Sequence, residues 1–252
     1  MCIVEPLKGA SPLAATVFHP EVNGPVHRQS DGSDVRIRLV GMWSARAIVV
    51  FELVYIAVFV AGFASLGNTS DPLPDPYLAI AEVIILVMAP IMVMLMLSIH
   101  RLAPLEAKPY TLVALGWMVA AAAFTMVVHF VELTVARHIN PATFLGYRWI
   151  FGFRWPSTFY AIDIVAWDVF FALALLFAVP AFARRSEAKW VRRGLIASGS
   201  LSLIGLIGPF ADALGWRTIG ILGYTVVFGL TCIPLSRAFK ADGALGPVNS
   251  RS

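Results

Sequence analysis

Six ionisable side chains stand inside or at the edges of long apolar stretches: Glu52, Glu82, His129, Glu132, Asp163 and Asp168. A charge at the centre of a bilayer costs about 2.5 kcal/mol or more, so residues of this kind usually face a protein interior and mark a functional site. The chemistry open to them is proton transfer. A carboxylic acid held neutral donates a proton, and an imidazole or carboxylate takes one back. His129 and Glu132 are three positions apart and share a helix face. Asp163 and Asp168 are five apart, which the 3.6-residue period separates by about 140°. Helical spacing therefore predicts that the two aspartates do not act as one carboxylate pair, although both can border a wide cavity.

The elements that carry these residues are membrane spans. Of the 252 residues, 59% are hydrophobic and 13% charged, against roughly 25% charged in soluble domains. A span takes about 20 mostly apolar residues. The segments that qualify are Ala45–Leu66, Tyr77–Ile99, Tyr110–Ala136, Thr158–Phe182, Gly194–Leu214 and Thr218–Phe239. The fold class is all-α: a polytopic integral-membrane helical bundle of six transmembrane helices. Residues 1–44 read as a flexible head, 45–239 as the bundle and 240–252 as a tail. The head is broken by Pro6, Pro12, Pro20 and Pro25 and holds no signal-peptide core. Pro90 should kink the second span and open space beside Glu82. Gly194, Gly199, Gly205 and Gly208 should let the fifth span pack closely. Cys2 and Cys232 have neither metal nor redox spacing and read as inert. No internal repeat of the kind many transporters carry is visible.

A net charge of +4 points to nucleic acid only until the basic residues are placed. They sit at span ends, as topology signals do. Most fall in the head, second loop, fourth loop and tail, against Arg137, Arg148, Arg154 and Arg217 on the other side, so both termini should be cytoplasmic. At about 1.5 Å per residue, Glu82 and Asp163 then lie about 8 Å below the outer surface, His129 at similar depth, Glu132 nearer the edge and Asp168 about 15 Å down. Glu52 alone lies nearer the cytoplasmic side. Asn68-Thr69-Ser70 is a formal glycosylation acceptor, too close to the first span to be used.

The third loop, the second on the outer side, is the exception among short loops. From Phe144 to Tyr160 it carries Tyr147, Trp149, Phe151, Phe153 and Trp155 at every second position, with Arg148 and Arg154 between. Period two is extended-chain spacing, which predicts a lid or re-entrant hairpin over the outer mouth. Its ring faces attract cations, while an interfacial aromatic belt is the plainer use. His129 with neighbouring acids has the donor types of a metal site. It is the lone intramembrane His, however, and no metal is expected.

A chain of this size, almost all spans, with intramembrane acids at Glu82, Glu132, Asp163 and Asp168, resembles the small integral-membrane terpene cyclases of terpenoid and meroterpenoid pathways. The resemblance is architectural, covers the chain loosely and carries no specific motif. It implies a carboxylic acid that protonates an olefin or epoxide of a prenyl chain, with aromatic rings steadying the carbocation.

Two functions follow. In the first, the protein is an enzyme that cyclises or isomerises an isoprenoid-type substrate. Asp163 or Asp168 is then the general acid, and Glu82 or the pair His129 and Glu132 returns the proton. Trp155, Phe159 and Trp167 supply ring faces, with Arg148 and Arg154 at the substrate's edge. In the second, the same acids serve a proton- or cation-coupled transporter. No cofactor or nucleic acid is expected. The partners are a lipid-soluble small molecule and membrane lipids, and association with further copies of the chain is left open. Transport predicts a need for Glu52; catalysis predicts that Glu52 is dispensable.

Overall fold

The computed structural model describes residues 26–67, 73–183 and 188–240. Most of the expected head, the Asn68 acceptor, much of the basic fourth loop and nearly all of the tail lie outside them. Every regular element among the described residues is helical, and six helices are long and apolar enough to cross a membrane. They are α1 (Val26–Ala64), α2 (Tyr77–Leu102), α3 (Leu105–Ala136), α4 (Thr158–Phe182), α5 (Lys189–Phe210) and α6 (Leu214–Lys240). The protein is a polytopic helical membrane bundle, as its composition requires. One boundary differs: α1 begins at Val26, so residues 26–44 continue the first span as helix.

Each helix packs on its neighbours in sequence, and α1 closes the ring against α6. A Cβ added at Gly41, early in α1, would stand 2.6 Å from the ring of Phe239 near the end of α6. The start of α1 and the end of α6 therefore lie at one end of the bundle, here the near end. Glycines allow the close approaches that the sequence predicts in α5. A Cβ at Gly194 would meet Thr231, one at Gly199 the side chain of Leu176 at 2.8 Å, and one at Gly205 the Cα of Gly220 at 2.9 Å.

The interior is divided. Toward the near end it is apolar and filled by Met42, Met96, Met118, Phe182, Leu195, Leu235 and Phe239, all buried. Toward the far end it holds Glu82, His129, Glu132, Asp163, Asp168 and Arg217, also buried. Dispersion and close packing hold the first half. The second half needs its polar groups to satisfy one another.

Three helices widen to π geometry at the far end or beside it: Glu132–Ala136 in α3, Val165–Phe171 in α4 and Gly223–Val227 in α6. Such bulges are frequent at functional sites. In α2, Pro90 lies inside an uninterrupted helix and faces outward, and Glu82 has a partner rather than open space beside it.

Candidate functional site: a buried acid–base relay

Four helices deliver side chains into one line at the far end. Glu82 comes from α2 and its Oε2 lies 2.5 Å from Nδ1 of His129 on α3. The other ring nitrogen of His129, Nε2, is 3.3 Å from Oδ1 of Asp163 on α4. This second approach is an ion-pair contact without hydrogen-bond alignment, which leaves both atoms short of a directed partner. Asp163 Oδ2 accepts from Nη2 of Arg217 on α6 at 3.0 Å, and Arg217 Nη1 donates to Oδ2 of Asp168 at 3.3 Å. Acid and base alternate along five residues.

The π segment of α4 is what makes this line possible. Hydrogen bonds of i→i+5 type widen the turn, so residues five apart come nearly over one another. Asp163 and Asp168 thus grip one guanidinium. The separation of about 140° is corrected, because it assumed α-helical spacing throughout; the two carboxyls share Arg217, each on its own nitrogen.

Sequence reasoning placed Arg217 among the loop charges. The structure buries it, with Tyr160 packed against its guanidinium at 4.4 Å. The signal that would have found it is an Arg at the lip of a span in a chain with surplus intramembrane carboxylates. Asp168 is fully buried, and its second oxygen, Oδ1, faces a cradle of two glycines. A Cβ at Gly220 would stand 2.8 Å from that oxygen and one at Gly205 3.3 Å.

Glu132 and Glu52 stand outside the line. Glu132 is one turn from His129, lies in electrostatic range of Glu82 and His129, and keeps Oε2 without a partner. Glu52 on α1 is buried beside Gly229 of α6 and also keeps Oε2 unpartnered. Between Glu52 and the relay is Tyr55, in electrostatic range of Glu52, Glu82 and Asp163, another residue the sequence did not single out.

The far-end segment folds as a cap, but not as an extended one. Tyr147–Ile150 is a single helical turn flanked by Gly146 and Gly152, which corrects the period-two reading. The rings pack on one another instead: Phe151 stacks on Phe159 at 5.3 Å, while Tyr147 meets Phe151 at 6.0 Å and Phe153 meets the His129 ring at 5.7 Å, both tilted. Trp155 is half-buried, while Arg148 and Arg154 are exposed, Arg148 lying over Trp149. Beside the cap, Arg137 at the end of α3 donates to both oxygens of Asp75 before α2, at 2.9 and 2.8 Å. Trp167 is deeper, against Tyr224 at 5.0 Å and Phe171 at 5.5 Å.

Tyr147 lies outside the spans. Its phenol is pushed above the ordinary value, first by burial and then by the nearby carboxylate of Glu132.

The chain matches no family model, no curated protein and no solved structure. What the relay does must follow from its own geometry. Glu82, Glu132, Asp163 and Asp168 supply four carboxyls against two cationic groups, His129 and Arg217. Fully ionised, the group would carry a surplus of two negative charges in a low-dielectric interior, which is expensive unless protons or a cation offset it. Among the described residues, no three His, Cys, Asp or Glu side chains meet in metal-ligating geometry.

Proposed function

We propose that the protein is a proton-coupled membrane transporter in which the relay from Glu82 to Asp168 takes up and releases protons at the far end. The observation that carries this reading is the surplus of buried carboxyls over cations: three against two in the relay spread over four helices, with Glu132 a fourth carboxyl beside it. Ion pairs that join separate helices make proton occupancy and helix position depend on each other, because a gained or lost proton changes which pairs hold. The basic loops favour cytoplasmic termini, and with that orientation the relay lies in the outer half of the membrane. Glu52 and Tyr55 extend the line of ionisable groups toward the middle of the bundle.

The isoprenoid cyclase reading is the second. It is favoured by the contacting rings of Trp167, Tyr224, Phe171 and Phe228, which supply the π-faces a carbocation needs. It is weakened because Asp163 and Asp168, its general acids, are both engaged by Arg217.

Proteoliposomes with an entrapped pH dye separate the two. The transport reading expects solute-dependent proton movement across a panel of small solutes, lost in Glu82→Gln. Absence of any such movement, with conversion of a prenylated phenol epoxide to a product of unchanged mass, overturns it in favour of the cyclase.

A further inference from the structure

We infer that the far-end mouth around Glu132 is a binding site for a small organic ammonium ion, which takes the place of a proton there. The inference rests on the transport reading for its purpose but on separate atoms for its site.

Glu132 is 8% exposed, and its Oε2 has no partner. A carboxylate that is nine-tenths buried and unpaired is costly, and such a group calls for a counter-charge. His129 and Arg137 act on it at a distance, but each has its direct contact elsewhere. His129 is already placed between Glu82 and Asp163, and Arg137 is spent on Asp75. Asp163 Oδ1 and His129 Nε2 are likewise left without an aligned partner.

The walls of the mouth are rings. Tyr147 lies in electrostatic range of Glu132, and Phe153 packs on His129. Phe153 is backed by the edge of Tyr160 at 5.5 Å. A buried carboxylate with aromatic rings in its neighbourhood can recognise an ammonium, through its charge and the ring quadrupole together. An inorganic cation would ask instead for converging oxygen ligands, and the acids here are spread along the line rather than gathered at one point.

The exchange balances. One ammonium enters, one proton leaves a carboxyl of the network, and the net charge of the interior is unchanged. The same carboxyl cannot hold both, which is what links the two fluxes.

The test uses the full chain in detergent, titrated calorimetrically with benzyltrimethylammonium and, as its neutral counterpart, benzyl alcohol. Saturable binding of the ammonium alone is expected, with a heat that changes with buffer as protons are released. Glu132→Gln should weaken binding at least about tenfold, the loss of one charged contact. Glu132→Asp should keep part of the affinity, and Tyr147→Leu should weaken it by less. Circular dichroism melting identifies any variant that does not fold. No ammonium binding to folded wild-type protein overturns the inference, as does binding that Glu132→Gln leaves unchanged. Binding with proton release but no flux in liposomes upholds the site and rejects transport. Proton-coupled flux that Glu132→Gln does not alter rejects the site and upholds transport.

Discussion

Arg217 and Asp163 are 54 positions apart in sequence and 3.0 Å apart in space, both buried. That contact fastens the last span to the fourth and sets the charge balance of the far end. Removing one partner of a buried pair leaves the other uncompensated, at a cost of roughly 3–5 kcal/mol. Arg217→Met should therefore lower the unfolding midpoint sharply in detergent. Adding Asp163→Asn and Asp168→Asn to the same chain should restore much of the loss, because the stranded charges are gone. A triple variant no more stable than Arg217→Met would contradict the pairing.

The glycine cradle makes a sharper local prediction. Gly220→Ala drives a methyl to 2.8 Å from Asp168 Oδ1 and 3.1 Å from the Cα of Gly205. Overpacking of this kind costs about 1–3 kcal/mol. Gly229→Ala places its methyl at 3.6 Å from Glu52, ordinary contact distance, and should be nearly neutral. Thermal unfolding of the two single variants, side by side, checks both statements.

Much of this fold was legible because hydrophobic length is a strong signal. The six spans follow from composition, and the depth argument brought Glu82, His129 and Asp163 to one level before their contacts were known. Two things were hidden. Asp163 and Asp168 were separated on paper by a 3.6-residue period that the π segment Val165–Phe171 breaks, and no residue type announces such a bulge. Arg217 was counted as loop charge because it precedes the apolar run. Whether an Arg at a span edge turns in or out depends on which carboxylates face it across the bundle, a tertiary fact. The alternating aromatics misled for a similar reason: Gly152 lets the chain pass close to the Arg148 carbonyl, where a Cβ would stand 2.9 Å away, and ring packing replaced the extended chain.

At the cap, Tyr147 titrates above an ordinary phenol because burial and the Glu132 carboxylate both disfavour phenolate. Glu132→Gln removes the second cause, so the ultraviolet titration of Tyr147 should move down toward the ordinary value without reaching it. Since the folded phenol holds its proton longer than the unfolded one, Tyr147 adds stability below the unfolded value, and that contribution is lost as pH rises through the folded value. An unmoved midpoint in Glu132→Gln, read against a Tyr147→Phe baseline, would show that the carboxylate is not charged when the phenol titrates.

The Arg137–Asp75 clip is partly exposed, and exposed ion pairs contribute about 0.2–1 kcal/mol even in good geometry. Asp75→Asn should lower stability by no more than that, and added salt should narrow its difference from wild type. A loss of several kcal/mol would mean that the clip holds the far ends of α2 and α3 together rather than trimming them.

The central claim is that the far-end network, with four carboxyls facing two cations, keeps exchangeable protons at neutral pH. Infrared spectroscopy of the protein in lipid reads this directly, as a carboxylic acid C=O band that shifts in heavy water. Glu52→Gln is the background to use, since it removes the one buried acid on α1 that stands apart from the relay. The account predicts that the band persists in Glu52→Gln and falls when Glu132→Gln is added. A spectrum of Glu52→Gln with no carboxylic acid band at neutral pH would contradict it, because the network would then hold its surplus charge without a proton.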